Sequence, residues 1–314
     1  MRHFCTLFNA AYKYHAHLLH DSIARFYNKA QFYFFCFDED SYEYFLKLNF
    51  DDIILIRSSE LEHTLYDLKQ VKASRTIAEY FFTCTPATCK YVVEKFPLVD
   101  EIVYLDADLY FYQSPEAIFE EGMTSSISII PHKFNLINYY KNVYGYYNVG
   151  WVSFKNNNNG LACLNKWYAD NIKWCYDKLT INKYADQKYL NYWKKDFKGV
   201  CIINHKGANV APWNVSNHKI SLRDSMLYID DAPIIFYHFA SLKFIDGSYY
   251  TTISSYFGRV KPNVAELIYQ PYIRALGKLG YKPRISERLN KKFLVSRLRK
   301  LIRNYYGDYI KVDL

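Results

Sequence analysis

Two aspartates separated by a single residue, Asp106 and Asp108, directly follow the apolar segment EIVYL at 101–105. Carboxylates at this spacing can bind a hard divalent cation such as Mg²⁺ or Mn²⁺. A bound cation neutralises the charge of a nucleoside diphosphate that departs from a reacting carbon. The same tripeptide is common in solvated turns, but here the chain becomes apolar again at Leu109. We therefore predict a rigidly held pair of carboxylates that binds a metal ion.

The elements that would position this pair follow an alternating pattern. Apolar segments predict strands at 3–8, 31–37, 51–56, 101–105, 126–130, 149–154, 200–204 and 233–237. Helical patterns separate them at 12–27, 58–82, 85–96, 159–177 and 186–193. The third helix is predicted to begin at Thr85, because a hydroxyl N-cap followed by Pro86 is a typical helix start. This alternation predicts an α/β fold with a mostly parallel sheet flanked by helices, in which ligands bind beyond the carboxyl ends of the strands.

Six segments, in order along the chain, resemble those of the GT-A glycosyltransferases. The segment IVYLDADLYFYQSPEAIF resembles the family's metal-binding segment, most closely that of family 8. The other five resemblances are FCTLFN from Phe4, KASR from Lys72, NVGWVSFKN from Asn148, ADQ from Ala185 and HF-x-x-x-K from His238. The resemblance covers about residues 3–245. It implies a Rossmann-like GT-A fold and metal-dependent transfer of a sugar from a nucleotide-sugar, with UDP favoured, to a surface-polysaccharide, lipopolysaccharide or lipid-linked glycan acceptor.

The resemblance also implies roles for individual residues. Asp106, Asp108 and His238 would bind the metal, and an imidazole ligand suits Mn²⁺ better than Mg²⁺. The residues that would bind the donor are Thr6, Asn9, Tyr14, Arg75, Asp106, Asn148, Gly150 and Lys243. Asp186 would accept hydrogen bonds from donor-sugar hydroxyls, with Gln187 near the anomeric carbon. The loop residues His205, Asn209 and Trp213 would contact the acceptor or donor sugar, although this loop departs from the family 8 pattern.

Several of these residues also have purely structural explanations. Asp186 could be a helix N-cap, His238 a packed histidine bonded to a backbone group, and Asn148 and Gly150 part of an ordinary turn. Stereochemistry is open as well. Family 8 implies retention of anomeric configuration, whereas an inverting enzyme needs a carboxylate base, for which Asp186 and Asp224 are candidates.

Two other groups of residues contain potential metal ligands. His15, His17 and His20 lie in the first helical segment. They do not share one helical face, so we predict a polar helix surface there rather than a metal site. The seven cysteines include no CxxC pair, which disfavours a zinc site and predicts reduced thiols, mostly in the core of a cytoplasmic protein.

The chain of 314 residues carries a net charge of +9, and most of this excess is concentrated near its end. Between Arg284 and Arg303 there are eight basic residues and one acidic residue. At helical spacing, residues 285–306 place Leu294, Leu298, Leu301, Ile302 and Tyr305 on one face. We predict a basic amphipathic helix that attaches the protein peripherally to an anionic membrane surface, on its cytoplasmic face. Packing on the protein itself and pairing in a homodimer are the alternatives.

The domain organisation follows from these segments. We predict a catalytic domain at 1–245, with nucleotide-sugar binding at about 1–155 and the acceptor side at 156–245, and a helical extension at 246–314. The N-terminus lacks the pattern of a signal peptide, and no apolar run approaches the roughly 18 residues of a membrane span. A sugar nucleotidyltransferase would need a glycine-rich loop where this chain has NAAYKYH. A nucleic-acid-binding protein is disfavoured because the body outside the basic segment is nearly neutral.

Overall fold

The computed structural model describes residues 1–245 and 248–281, together with residues 305, 307, 309, 310 and 312. The predicted amphipathic helix at 285–306 lies outside these residues, apart from Tyr305. The chain divides into two compact units. The first unit comprises Met1–Leu109, Ser114–His132 and Lys141–His205. The second comprises Tyr110–Gln113, Lys133–Tyr140 and Lys206–Leu314. The predicted domain boundaries at 155 and 245 stay predictions.

The strands of the described residues are, in chain order, β1 (Arg2–Phe8), β2 (Ala30–Cys36), β3 (Ile53–Arg57), β4 (Glu101–Leu105), β5 (Leu109–Phe111), β6 (Ile127–Pro131), β7 (Tyr147–Lys155), β8 (Val200–Ile202), β9 (Ile220–Arg223), β10 (Met226–Ile229), β11 (Ala232–Pro233), β12 (Phe236–His238), β13 (Lys243–Ile245), β14 (Ser248–Tyr250) and β15 (Tyr309–Ile310). The helices are α1 (Lys13–Ala24), α2 (Glu39–Leu48), α3 (Ser58–Thr64), α4 (Tyr66–Lys72), α5 (Ile77–Lys95), α6 (Glu116–Glu121), α7 (Asn158–Lys173), α8 (Trp193–Asp196), α9 (Pro262–Val264) and α10 (Gln270–Lys278). Short 3-10 segments occur at Tyr139–Tyr144, Lys188–Tyr192, Val215–Asn217 and Ile253–Tyr256, and a π turn at Ala265–Tyr269.

The first unit is built on a seven-stranded sheet of order β3-β2-β1-β4-β7-β6-β8. Neighbouring strands are parallel except at β7, which runs antiparallel to both β4 and β6. The predicted α/β class is thereby confirmed. Because β1 and β4 are adjacent and parallel, their carboxyl ends lie at the same edge of the sheet, which is the edge where Asp106 follows β4.

The aromatic residues of β2 explain how this sheet is covered on both faces. Successive side chains of a strand point to opposite faces. Phe34 packs on Phe45 of α2, with ring centroids 4.9 Å apart, whereas Phe35 packs on Tyr91 of α5 at 5.5 Å. His20 of α1 also packs on Phe34, with ring centroids 6.4 Å apart. Helices α1 and α2 therefore cover one face and α5 the other. Much of the chain's content of 33 Tyr and 22 Phe supplies packing of this kind.

The prediction that a helix begins at Thr85 is wrong. Helix α5 begins at Ile77 and continues through Pro86 to Lys95. Its actual start is a capping box, in which Thr76 and Glu79 bond each other's backbone N–H groups. Pro86 removes one helical hydrogen bond, but the residues around it are buried against the sheet and α7. Tertiary packing therefore outweighs the local signal for a helix start.

The second unit contains smaller sheets: antiparallel β9, β10 and β11, the pair β5 and β12, and the hairpin β13–β14 extended by β15. Its core includes stacked Phe239 and Tyr272 rings, with centroids 3.6 Å apart. The hydroxyls of Tyr237 and Tyr269 are hydrogen-bonded at 2.7 Å. Among the described residues, no helix combines the length and the apolar character that crossing a bilayer requires.

Candidate active site

The two aspartates at the end of β4 lie in a tight turn with their carboxylates close together. An oxygen of Asp106 and an oxygen of Asp108 lie within 4.8 Å of each other. The Asp106 N–H donates to the Gly150 carbonyl of β7 at 3.2 Å, and the Leu109 N–H donates to the Asp106 carbonyl at 3.2 Å. Asp108 is buried and Asp106 is half-buried. The backbone thus holds both carboxylates at one sheet edge, as the sequence predicted, and their oxygens are the ligand type that Mg²⁺ and Mn²⁺ accept.

A residue that the sequence analysis did not identify also fixes the Asp106 carboxylate. The hydroxyl of Tyr104, within β4, donates to Asp106 Oδ1 at 2.9 Å. Burial raises the pKa of Tyr104 well above its ordinary value, and the charges of Asp106 and Asp186 raise it further. The hydroxyl therefore keeps its proton at neutral pH and remains a donor. Its position two residues before Asp106, on the same side of a strand, is the signal that could have revealed it.

Asp186 is a buried carboxyl group near Asp106. Burial raises the pKa of Asp186 to about 7, and the negative charge of Asp106 adds to the effect, against hydrogen bonds from Thr85 and the backbone. The main chain here is fixed by the Trp167 indole N–H, which donates to the Asp186 carbonyl at 2.9 Å. Sequence reasoning associated Asp186 with the site but could not place it beside Asp106, and it missed Thr85 as its partner.

The single helix predicted at 186–193 is replaced in the structure by two short helical segments. A 3-10 segment occupies Lys188–Tyr192, and α8 follows from Trp193. Ala185 has a φ of 44°, in the left-handed region, so the chain turns sharply before Asp186. The side chain of Gln187 donates to the Tyr144 carbonyl at 2.9 Å. Asp186 therefore does not act as the N-cap of a regular α-helix.

Asn148 and Gly150 lie next to the carboxylate pair, at the start of β7. Asn148 is buried, and its Oδ1 accepts from the Gly150 N–H at 3.0 Å. The Asn148 amide nitrogen lies 3.4 Å from Nε2 of His132. Because the Gly150 carbonyl accepts from Asp106, the local turn formed by Asn148 is joined directly to the segment that carries the carboxylate pair. The structural and functional explanations of this motif are therefore compatible.

The histidines of α1 are buried, so the prediction of a polar helix surface is wrong. His17 Nδ1 lies 2.7 Å from the Tyr44 hydroxyl, and His20 Nε2 lies 3.0 Å from Asp52. Burial lowers the pKa of His15 to about 4, although the charge of Asp108 acts in the opposite direction. His15 is thus a neutral neighbour of Asp108. The stretch 14–24 has Asp21 as its single charged residue, which is typical of a buried helix.

Three predicted donor residues lie on or just after β1. Thr6 is buried within the strand, and its hydroxyl has no hydrogen-bond partner in the part of the chain that the structure describes. Asn9 follows the strand, and its side-chain oxygen accepts from the Ala11 N–H at 3.1 Å. Tyr14, in α1, packs on Tyr44 with ring centroids 5.2 Å apart. Asn9 therefore lies at the sheet edge that also carries Asp106.

Arg75 and His205 are held in contacts of their own within the first unit. The Arg75 guanidinium lies 3.9 Å from the centre of the Tyr176 ring and donates to the Ile172 carbonyl at 3.2 Å. His205 is anchored through its backbone N–H, which donates to a carboxylate oxygen of Glu121 at 3.1 Å.

The remaining predicted residues belong to the second unit, where three of them are near one another. His238 ends β12, is buried, and packs edge-on against Trp213 with ring centroids 5.2 Å apart. The backbone N–H of His238 donates to the carbonyl of Val210, the residue that follows Asn209, at 2.8 Å. Asn209 has a φ of 64°, and its carbonyl accepts from Asn214 at 2.9 Å. Lys243 begins β13 and is exposed.

The fold is that of the GT-A glycosyltransferases. The chain is similar in structure to the galactosyltransferase LgtC in complex with donor and acceptor sugar analogues, with a TM-score of 0.52 and 14% identity, over 90% of this chain and 98% of that one. An active-site mutant of LgtC gives a TM-score of 0.53 at the same identity and coverage. Likeness at this identity defines the fold. No model of a known protein family matches the sequence.

Closer relatives are found among proteins of Bacillus subtilis (strain 168). The uncharacterized protein YfnD is 30% identical over 262 residues, which is 82% of this chain and 81% of YfnD. The uncharacterized protein YfnF is 30% identical over 250 residues, which is 77% of this chain and 82% of YfnF. The chain belongs to the family of YfnD and YfnF.

Proposed function

We propose that the chain is a metal-dependent glycosyltransferase of the family 8 type, which transfers a sugar from a UDP-sugar to a glycan or lipid-linked acceptor with retention of configuration. The observation that carries this proposal is the Asp106–Asp108 pair at the carboxyl end of β4, in a GT-A fold. Asp106 is tied to β7 through Gly150, and its carboxylate is fixed by the Tyr104 hydroxyl. This is where ligands bind in open α/β sheets.

In this proposal Asp106, Asp108 and His238 hold the metal ion. Two carboxylates and one imidazole suit Mn²⁺, and Mg²⁺ less well because it prefers oxygen ligands. The bound ion would supply positive charge to the leaving diphosphate. Oxygens of Asp106 and Asp108 lie within 4.8 Å of each other, which supports the assignment of the two carboxylates.

The protein's own residues would bind and orient the donor. Asn9, Thr6 and Tyr14 would hold the nucleoside near the end of β1. Lys243 and Arg75 would place positive charge on the diphosphate. The donor sugar would lie beside Asn148, Gly150, Asp186 and Gln187. The acceptor would lie near His205, Asn209 and Trp213.

The Asp186 carboxyl group is suited to accept hydrogen bonds from the hydroxyls of the donor sugar. It is buried, and its hydrogen-bond donors among the described residues are the Thr85 hydroxyl and its own backbone. Sugar hydroxyls are donors that can complete the hydrogen bonding of such a group. Gln187 follows it directly, so a sugar held by Asp186 would have its ring near the Gln187 amide.

The partners beyond the donor also remain proposals. The basic segment at 285–306 would attach the enzyme to an anionic membrane at its cytoplasmic face, with pairing in a homodimer as the alternative. The density of positive charge in this segment supports a membrane, because each basic residue near an anionic leaflet contributes about 1 kcal/mol.

The test is a comparison of the wild type with Asp108→Asn. Thermal unfolding would be measured with UDP-, GDP-, CMP- and dTDP-sugars, each with and without Mn²⁺. A donor at about 100 times its dissociation constant adds about 2.7 kcal/mol of stability. We expect a Mn²⁺-dependent stabilisation by a UDP-sugar. We also expect slow turnover of that donor, measured as UDP released from it. Both should be lost in Asp108→Asn. The matched control is Asp51→Asn, at an exposed aspartate. Equal stabilisation and turnover in wild type and Asp108→Asn would refute the proposal.

A further inference from the structure

The segment between β6 and β7 carries an unusual group of exposed apolar side chains. Leu136 is 93% exposed, Ile137 64%, Tyr139 60% and Tyr140 54%. We call these four residues the apolar tip. They lie within Lys133–Tyr140, which belongs to the second unit. Single exposed apolar residues are normal on protein surfaces, but a contiguous group marks a surface that binds a partner.

The polar residues of the same segment are turned inward. Asn138 is fully buried, and its amide donates to the Tyr256 carbonyl at 2.6 Å and to Asn135 Oδ1 at 3.0 Å. The Asn135 amide donates in turn to Asn217 at 2.9 Å. The Phe134 ring stacks on Tyr256, with centroids 6.0 Å apart. The segment is therefore anchored by its asparagines while it presents Leu136 and Ile137 to solvent, which reverses the usual placement of polar and apolar residues.

The charge around the apolar tip identifies the chemistry of the partner. From His132 to Asn148 the sequence contains no acidic residue. Its two lysines, Lys133 and Lys141, are half-buried, and the Lys133 ammonium donates to the Ala208 carbonyl at 3.2 Å, so they contribute net positive charge rather than direct headgroup contacts. Aliphatic residues that can enter the acyl region and tyrosines that suit the headgroup level, in a segment of net positive charge, are the composition of a surface that lies on a bilayer. A glycan would be matched by flat aromatic rings with hydrogen-bonding neighbours, whereas the most exposed side chain here is aliphatic.

We propose that the apolar tip inserts into an anionic lipid surface. Both ends of the segment return to the sheet, where Pro131 pairs with Tyr147 and the His132 N–H donates to the Tyr146 carbonyl at 3.0 Å. Tyr147 begins β7, the strand whose Gly150 carbonyl contacts Asp106. The chain therefore leaves and re-enters the sheet near its ligand-binding edge. This inference does not depend on the proposed function, because it concerns binding to lipid alone.

The experiment is co-sedimentation of the full chain with vesicles. The probes are vesicles of pure phosphatidylcholine and of equal parts phosphatidylcholine and phosphatidylglycerol, without nucleotide-sugar. The test variant is Leu136→Ser with Ile137→Ser. The matched control is Leu98→Ser with Ile181→Ser, because these residues are 95% and 91% exposed and lie outside the apolar tip. Thermal unfolding verifies that both variants are folded.

We expect the wild type to bind the anionic vesicles and the test variant to bind them about 100-fold more weakly, about tenfold for each side chain withdrawn from the lipid. The control should differ from wild type by less than about twofold. The proposal is overturned if the wild type does not bind, or if the test variant binds as well as the control. A self-association that the test variant abolishes, without vesicle binding, would assign the apolar tip to a second copy of the chain and overturn it too.

Discussion

Replacing Tyr104 with phenylalanine tests how the candidate metal site is held. The Tyr104 hydroxyl lies 2.9 Å from Asp106 Oδ1 and is buried within β4. Phenylalanine keeps the ring and its packing and removes the donor alone. Because the tyrosine is buried, no water molecule can readily take the place of the lost hydroxyl. We expect Tyr104→Phe to weaken metal binding because the Asp106 carboxylate is no longer held in place. Tyr104 is not itself a proposed ligand of the ion.

The size of the effect follows from the kind of hydrogen bond. A hydrogen bond to a charged acceptor contributes about 1.5–3 kcal/mol, which corresponds to a factor of about 10–100 in a dissociation constant. Loss of partners that orient metal ligands typically has an effect of this same size on metal affinity. The high pKa of the tyrosine, which results first from burial, means that the loss should be the same throughout the neutral pH range.

The measurement is calorimetric titration of the apo-protein with Mn²⁺, for the wild type and for Tyr104→Phe. The matched control is Tyr33→Phe. Tyr33 is a buried strand tyrosine whose hydroxyl lies 3.3 Å from His3 Nδ1, away from the carboxylates. If Tyr104→Phe binds Mn²⁺ as tightly as the wild type, or if Tyr33→Phe loses the same affinity, the hydrogen bond to Asp106 has no role in positioning the ligand.

Two further predictions concern stability. Between the ordinary carboxyl pKa near 4 and the value of about 7 in the fold, the folded chain keeps a proton on Asp186 that the unfolded chain releases, so stability falls as pH rises through this window. In EDTA, the free energy of unfolding of Asp186→Asn, relative to that of the wild type, should therefore increase by about 2 kcal/mol from pH 5 to pH 8. Urea unfolding at the two pH values measures this, and the same difference between variant and wild type at both would contradict it. Gly160→Ala should destabilise the fold by about 1–3 kcal/mol, because its Cβ would lie 2.1 Å from the Lys155 carbonyl oxygen. The steric cost exceeds the gain of about 1 kcal/mol from helix propensity. A variant with an unchanged unfolding midpoint would show that the backbone at the end of β7 moves to accommodate the methyl group.

Local patterns were sufficient where neighbours in sequence control the structure. The strand at Glu101–Leu105 ends where the aspartates begin, as predicted. They failed at Thr85, because a hydroxyl followed by proline is also tolerated inside a helix that is packed on both sides. They failed again at the histidines of α1, because polar residues were expected at the surface and these are buried with partners such as Tyr44 and Asp52.

The sequence by itself determined the α/β class, the carboxylate pair and the order of the segments around it, because strand and helix periodicity and the ends of strands are local properties. Only the tertiary structure decided which distant residues meet. It placed Asp186 where burial and the charge of Asp106 raise its pKa, joined Asn148 and Gly150 to the turn of the carboxylate pair, and exposed Leu136 while burying Asn138. Burial and electrostatic coupling depend on atoms far apart along the chain, so no local pattern encodes them.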